Sequence, residues 1–598
     1  MNRLGRFVTL ALGLAPLGLT GCFLKEFTTT VARPQAEDPP AKDGVVLIGQ
    51  VANQFDNAQD MVVSGAGLVV GLNGTGGTCP PCDARTAVVE RLKRDKVDDI
   101  AAVLDSPNSA VVVVTAVVKP GVRRDELIDV EVTLPQGSKV KSLRGGVLLP
   151  TPLLTFASQG EVRDYLKNSE FGSVSEGNRL LRGHEVVVAK GPLQAGLTGV
   201  EDGSPDSDKP LKEAFVWKGG KLVEGRAMYL LLNPDQQRFR IAEQIALRIN
   251  ETFHAGDTPG SKFALARYKD QVAVAVPPRY RLNRPHFMRV VRAIPLAAPG
   301  EKSEYVGHLE EQLQAPETAL SAAVGLEAVG AAGVPALKGA LKSEYPLVRF
   351  AAAEALAYLG QPTGAEVLAK IAAEHPSLQA YALTALAVAD DALCQQKLEE
   401  LMASKDPELK YGAFRAMREV DPDADLVKGV WARRSYVIHT VPVPGPGMVH
   451  LLREGRAEFV LFGETPKLTA PFSLTAGPEI TVTAREGDTV ATVSRFSARS
   501  ETPTHLQCPL TVADILQKLA DLGATYPDAA EFLRKAHDRK ALDCRLVLDA
   551  LPKAVPIQRL AKAAVQDPQM QQEYDLLAEV DAANAPNLFE IPAAVEKK

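Results

Sequence analysis

The sequence predicts a multidomain α+β protein: a mixed strand-and-helix core with an inserted α-helical repeat array. Three observations carry this. Short runs rich in Val, Leu and Ile, bounded by Gly, Pro, Asn and Asp, recur over residues 44–300 and again over 436–500, as buried strands do. Residues 304–424 between them are mostly Ala, Leu, Glu and Lys, with an internal period. The chain has 598 residues, more than one hydrophobic core ordinarily organises.

The chain begins MNRLGRFVTLALGLAPLGLTGC. Arg3 and Arg6 precede an apolar run from Phe7 to Leu19 that is too short to span a bilayer alone and ends in small residues, as a secretory signal does. Leu19-Thr20-Gly21-Cys22 resembles a bacterial lipobox, which makes Cys22 the lipidated first residue of the mature chain; cleavage near Ala41 with an ordinary internal Cys22 is the alternative. Residues 1–22 are thus expected to be a lipoprotein signal peptide, and 23–43, polar and proline-containing, a tether. No second stretch reads as membrane-spanning, so membrane attachment runs through the lipid on Cys22. A net charge of −6 gives no reason to expect nucleic acid as a partner.

Within 44–300, VVLIGQVA, GLVVGL, SAVVVVTAVV, LIDVEVTL, VKSLRGGVLL, HEVVVAKG, GRAMYLLL and QVAVAVP read as strands. Ala87–Leu104 and Pro234–Phe253 carry helical spacing; the second has Asn233 as its cap, Pro234 at its first position, and Phe239, Ile241, Ile245, Leu247 and Ile249 as its apolar set. In the repeat region Pro316, Pro346, Pro376 and Pro407 recur every 30 or 31 residues. Each opens a helix that ends near Gly330, Gly360, Asp390 or Asp421. HLEEQLQA, PALKGALK, GAEVLAKIAA and CQQKLEELMA supply the partner helices, and pairs this small must stack to bury their apolar stripes. The period resembles short HEAT-like repeats. Residues 436–500 are strand-like again. Residues 508–552 read as a small helical module, started by Thr511 with Asp514, stopped at Gly523 and restarted near Pro527. Residues 553–598 form a helical or flexible tail.

The stretch SGAGLVVGLNGTGGTCPPC, Ser64–Cys82, is the densest candidate for chemistry. It has no lysine followed by Ser or Thr after its glycines, and it misses the G-x-G-x-x-G order, so it is no nucleotide loop. Its glycines serve backbone geometry: left-handed φ at Gly74, Gly76 or Gly77, and close chain approach at Gly65, Gly67 and Gly71. Cys79-Pro-Pro-Cys82 has thiol-oxidoreductase spacing, but a glycine loop stands where a redox domain has a strand, which favours a disulfide pinning the loop over catalysis. Cys508 and Cys544 are the second candidate disulfide, stapling the C-terminal module; Cys394 falls in a repeat helix and is expected to be buried. No histidine spacing suggests a metal, no nucleophile constellation appears, and no cofactor is implied.

Several segments together resemble the flagellar P-ring protein family, structural proteins of the bacterial basal body. They are SGAGLVVGLNGTGG, LIDVEVTL, VKSLRGGVLLPTPLL, Asn233–Phe253 and QVAVAVP in the first half. In the second they are REGRAEFVLFGETPKLTAPFSLTAGPEITVTAR and TVADILQKLADLGATYPDAAEFLRKA. The resemblance covers Gly44–Gly300 and Arg453–Pro552. It implies a P-ring-like core that works by self-association or by binding envelope proteins, flagellar rod components among them, in the periplasm or cell envelope. It implies no enzymatic activity. The repeats, the lipobox and the Cys79–Cys82 pair depart from the family pattern. A non-flagellar envelope lipoprotein that binds a partner through its repeats is the second reading, and a thiol-redox enzyme the third.

Overall fold

The computed structural model describes residues 45–55, 60–157, 181–195, 209–254, 262–297, 304–389, 391–433, 435–453, 456–496, 502–571, 576–578 and 585–589. Cys22, the signal segment and the tether lie outside them. The described residues all fall in one compact unit, Asp38–Lys598.

The chain enters through a short helix, α1 (Ile48–Val51), and strand β1 (Ala52–Phe55), where the sequence predicts one strand over VVLIGQVA. Leu47, bridged to Pro295, already pairs at the sheet margin, and Gly49 and Gln50 turn the chain before β1 begins. Next come β2 (Met61–Val70), α2 (Asp83–Arg94), α3 (Ile100–Leu104), β3 (Ser109–Val118), β4 (Leu127–Thr133), β5 (Val147–Ala157), β6 (Leu181–Pro192), α4 (Lys209–Lys212) and β7 (Glu213–Leu222). The predicted helix over Ala87–Leu104 is therefore two. Lys96 adopts φ 56° and Asp99 caps α3 through Ala102 N. The six strands close into a barrel in the order β2-β3-β4-β7-β6-β5. Val63, Val69, Val112, Val114, Val130, Val132, Leu153 and Val187 are among the residues that fill its core, since alternate residues of each strand point inward.

β1 lies in a second sheet, β1-β8-β10-β9, with β8 (Met228–Leu232), β9 (Ala264–Ala266) and β10 (Gln271–Val274). Against it lie α5 (Phe239–Thr252) and α6 (Arg284–Ala293). α5 starts later than predicted: Pro234–Gln236 form a separate 3-10 turn and Arg238 holds the cap position. Its buried face is Ala242, Ile245, Ala246 and Ile249, whereas Phe239 and Leu247, expected in the apolar set, are 52% and 56% exposed.

The repeat region forms eight helices: α7 (Glu304–Leu313), α8 (Pro316–Val329), α9 (Val334–Ala340), α10 (Pro346–Tyr358), α11 (Ala365–Glu374), α12 (Gln379–Ala389), α13 (Ala392–Leu401) and α14 (Pro407–Val420). α8, α10, α12 and α14 pack successively side by side, each against the hairpin partner that precedes it. Their alanines allow this close approach, and Leu320, Phe350, Ala380 and Tyr411 are all buried. Pro316, Pro346 and Pro407 open helices, Pro376 lies in the turn before α12, and Gly330 and Gly360 stop α8 and α10 with φ 82° and 71°; Asp390 lies outside the described residues. One sequence expectation changes here. The helical run Pro316–Ala340, α8 and α9 with the turn between them, is long enough to cross a membrane and holds an 18-residue window of mean hydropathy 1.5, but 61% of that window is buried in the fold, as core helices are.

The remaining chain forms a sheet β11-β12-β14-β13-β19 and an antiparallel sheet β15-β16-β17-β18. The strands are β11 (Gly429–Ala432), β12 (Tyr436–Val441), β13 (Met448–Leu451), β14 (Glu458–Phe462), β15 (Phe472–Ala476), β16 (Ile480–Ala484), β17 (Val490–Arg495), β18 (Thr504–Pro509) and β19 (Arg545–Leu548). Helices α15 (Val512–Asp521) and α16 (Tyr526–Asp538) share one core with both sheets. The sequence separates a β region from a helical module; in the structure α15 and α16 bury Leu516, Leu519, Phe532 and Leu533 in one core with residues of both sheets, while Val441, Met448, Val460 and Phe462 of the first sheet belong to the core of the helical block. The tail is not loose throughout: α17 (Ile557–Gln566) packs on α8, and Leu588 and Phe589 are buried.

Candidate functional site at the glycine-rich loop

The stretch Ser64–Cys82 is β2 followed by a loop that leads into α2. Two of its glycines let β2 close the barrel. A β-carbon on Gly65 would stand 2.2 Å from Pro152 O, and one on Gly67 2.9 Å from both Leu148 Cδ1 and Val114 Cγ2. The register between β2 and β5 shifts at this point. Beyond the strand, Gly71 and Gly74 take φ 83° and 90°. Gly76 and Gly77 do not; they run between two neighbouring segments, with Gly76 N donating to Pro107 O (2.9 Å), Gly77 N to Ser109 O (3.1 Å) and Lys139 N to Thr78 O (3.0 Å). Close chain approach thus falls at Gly65, Gly67, Gly76 and Gly77, and left-handed φ at Gly71 and Gly74. Gly71 exchanges roles with Gly76 and Gly77, since extended backbone squeezed between two chains needs no left-handed residue, only no side chain.

Thr75 ties this loop to the next. Its Oγ1 lies 2.7 Å from Leu72 O and 2.9 Å from Ser142 O, and its carbonyl accepts from Lys141 N at 2.9 Å. Residues 140–146, the VKSLRGG segment, therefore lie as a loop beside it rather than starting a strand; β5 begins at Val147. Arg144 from this second loop pairs with Asp528 (Nη2 to Oδ1, 2.9 Å) and donates through Nε to Thr525 Oγ1 (3.3 Å). Thr525 and Asp528 form the capping box that starts α16. The glycine loop is thereby connected, through one neighbouring loop, to the C-terminal unit.

At the end of the stretch Cys82 caps α2, its Sγ accepting from Arg85 N at 3.4 Å. Cys79 Sγ lies 3.4 Å from Cys82 Sγ. Arg85 donates to Cys79 O (2.9 Å) and pairs with Asp105 (2.9 Å). Cys79 is 4% exposed, among Leu68, Val88, Leu92, Leu104 and Val111, and burial first, then the neighbouring Cys82, pushes its thiol up to about 11. All five described cysteines are free thiols. Cys508 and Cys544 border the same core but carry no bond between them. Cys508 sits on β18, the edge of one sheet, and Cys544 leads into β19, the edge of the other. Burial raises their thiols to about 11 and about 12. Cys394 is buried in the helical block as expected. Among the described residues no group of three or more His, Cys, Asp or Glu is placed to hold a metal ion.

Two joints escaped the sequence reading. In the first, the C-terminal ends of α8, α10, α12 and α14 face a cavity of 730 Å³ that Arg279, Tyr280 and Arg281 also line. Arg279 Nη1 donates to Tyr358 O (3.1 Å), and Arg281 donates to Glu419 O (2.7 Å) and Oε2 (3.0 Å). Cations at helix C-termini complement the helix dipole. Beneath them Tyr280 OH donates to Glu327 Oε1 at 2.6 Å, and His286 Nε2 lies 2.8 Å from Glu327 Oε2. Burial drives this pair toward neutral forms, Glu327 up to about 8 and His286 down to about 3. In the second joint Arg418 of α14 meets Glu458 of β14 at 2.6 Å, and Tyr411 OH donates to the same carboxylate at 2.9 Å. Glu458 is fully buried, yet the Arg418 charge holds its carboxyl well below the usual range. The run PPRYRLNRPHF, basic and aromatic just ahead of the repeats, was the signal available for the first joint. The second has no local signal, because its partners are far apart in sequence.

The site offers positioned backbone, charged tethers and one close thiol pair. Residues 48–163 match the family model described as flagellar P-ring protein, a span that includes β1, the glycine loop and the barrel strands β2 to β5. A flagellar P-ring protein of Paramagnetospirillum magneticum is 32% identical over 41% of this chain and 58% of its own length. Those of Nitratidesulfovibrio vulgaris and Fervidobacterium nodosum are 29% and 31% identical over 43% and 38% of the chain, and over 63% and 59% of their own lengths. The chain spans about three-fifths of the length of these curated relatives, and over that part it is similar to flagellar P-ring proteins.

Proposed function

We propose that the protein is a structural component of a cell-envelope assembly, built on a P-ring-like core, anchored through a lipid on Cys22 and working without catalysis. The observation that supports it best is the family match over residues 48–163, which falls on the barrel and on the glycine loop tied through Arg144 to the C-terminal unit. Copies associate with one another and with envelope partners, flagellar rod components included, through surfaces rather than through a reacting site. The HEAT-like helical block adds a further binding surface. The test is electron cryotomography of envelopes from cells carrying a tagged chain, with native mass measurement of the detergent-extracted protein. The expected result is a defined oligomer located at basal bodies. A strictly monomeric species at all concentrations, with label spread evenly through the envelope, overturns the reading.

A further inference from the structure

The Cys79–Cys82 pair is used by none of the contacts that join the units of this protein, and its geometry is unlike that of an oxidoreductase. In a thiol-redox catalyst the first cysteine of the C-x-x-C pair is the exposed, attacking one at the helix start. Here Cys79 is 4% exposed, while Cys82, partly exposed, holds the cap position of α2. The two sulfurs stand 3.4 Å apart, against about 2.05 Å in a disulfide. The pair is in contact but unbonded.

We propose that Cys79 and Cys82 are a dithiol modification site, oxidised by exchange with an external disulfide, in which Cys82 attacks and Cys79 resolves. Cys82, having given up its proton, attacks one sulfur of the incoming disulfide. The S–S bond of the reagent breaks, Cys82 carries one half as a mixed disulfide, and the other half leaves as a thiol after taking the proton. Cys79 then loses its proton and attacks Cys82 Sγ, breaking the mixed bond and releasing the second half as a thiol. The protein loses two electrons and two protons, and one disulfide becomes two thiols. Buried Cys79 is shielded from external reagents, which fits the resolving role; its raised thiol makes it a poor first attacker. The closed ring encloses Pro80 and Pro81 and fastens the loop segment that runs between residues 107–109 and 139–142 to the first turn of α2. The product is a fixed loop; a thiol that reopens it has to attack the partly exposed Cys82 Sγ and expel Cys79, the reverse of the closing step.

The test uses the full-length protein, reduced, then incubated with oxidised glutathione as the probe disulfide, alkylated after denaturation and mapped by peptide mass. Cys79 and Cys82 are expected to lose alkylation together, while Cys394, Cys508 and Cys544 keep it. The Cys79→Ser variant is expected to accumulate a glutathione adduct on Cys82, and the Cys82→Ser variant to take up glutathione on Cys79 at least tenfold more slowly. Circular dichroism and thermal melting of both variants before treatment establish that each is folded. Retained alkylation of both cysteines in the treated native chain, or equal adduct formation in the two folded variants, overturns the proposal. The readout involves the isolated chain alone, so it stands or falls independently of assembly.

Discussion

Glu327 and Glu458 are both buried carboxyls beside tyrosine hydroxyls, yet they respond to pH with opposite signs. Glu458 has the Arg418 guanidinium at 2.6 Å; its folded-state pKa is depressed, so its stabilisation is present above the unfolded value and lost as pH falls through the folded one. Removing the cation alone with Arg418→Met strands the charge and is expected to cost about 3–5 kcal/mol in denaturant unfolding. Glu327 is raised to about 8, so its contribution is full below the unfolded value and lost as pH rises toward 8. His286, lowered to about 3, is buried neutral, and its contribution is lost as pH falls below the unfolded value of about 6.5. Between about 6.5 and 8 only Glu327 of this pair acts. Thermal stability is expected to decline over that window and Glu327→Gln to flatten the decline; an equally steep decline in the variant would refute the assignment. The glycines separate by mechanism in the same way. Gly65→Ala meets Pro152 O and is expected to cost about 1–3 kcal/mol by overpacking. Gly71→Ala, whose β-carbon would meet Gly145 O at an ordinary 3.9 Å but at φ 83°, is expected to cost about 1–2 kcal/mol through backbone strain, with Gly71→Asn milder than Ala. These roles were legible as a class, since clustered glycines in an apolar stretch mean turns or close approach. Which glycine did which depended on segments 107–109 and 139–142, whose position no local pattern records.

Among the elements, the helical block was the most legible, because its helix starts and stops are written locally in proline, glycine and alanine-rich runs. Strands came through where alternation or β-branched runs were long, as in β3. VVLIGQVA failed because Gly49 and Gln50 turn the chain at the sheet margin, and α5 because a proline marks a 3-10 turn two residues ahead of the true helix. The division between 436–500 and 508–552 crosses a shared core for a tertiary reason: amphipathic α15 and α16 bury their apolar faces with residues of both sheets. Joints between elements were illegible for the same reason. Arg279 and Arg281 hold the second sheet's flank to the ends of α10 and α14. The double variant Arg279→Ala/Arg281→Ala is expected to speed hydrogen exchange at residues 356–364 and 417–424 by tenfold or more, while exchange in β3 stays unchanged. Equal exchange in both regions would show that the arginines merely cover the surface.

At the scale of the whole molecule, the family resemblance read from ordered segments agrees with the match over residues 48–163 and with relatives near 30% identity. The fold class was legible because it follows from the alternation of strand-rich and helix-rich stretches. The connections were not, since they join residues hundreds of positions apart. One of these sets a condition on how the molecule comes into being. Asn587 Oδ1 accepts from Arg284 N at 2.8 Å, and Leu588 N donates to Leu282 O at 3.3 Å. The start of α6 thus waits for residues made some three hundred positions later. The barrel is built from strands closer together in sequence, but the α6 margin stays unsealed until residues 587 and 588 reach it, and contacts this distant form slowly. Docking of residues 587 and 588 is itself a folding step, and a chain lacking them would leave the α6 margin open to proteases.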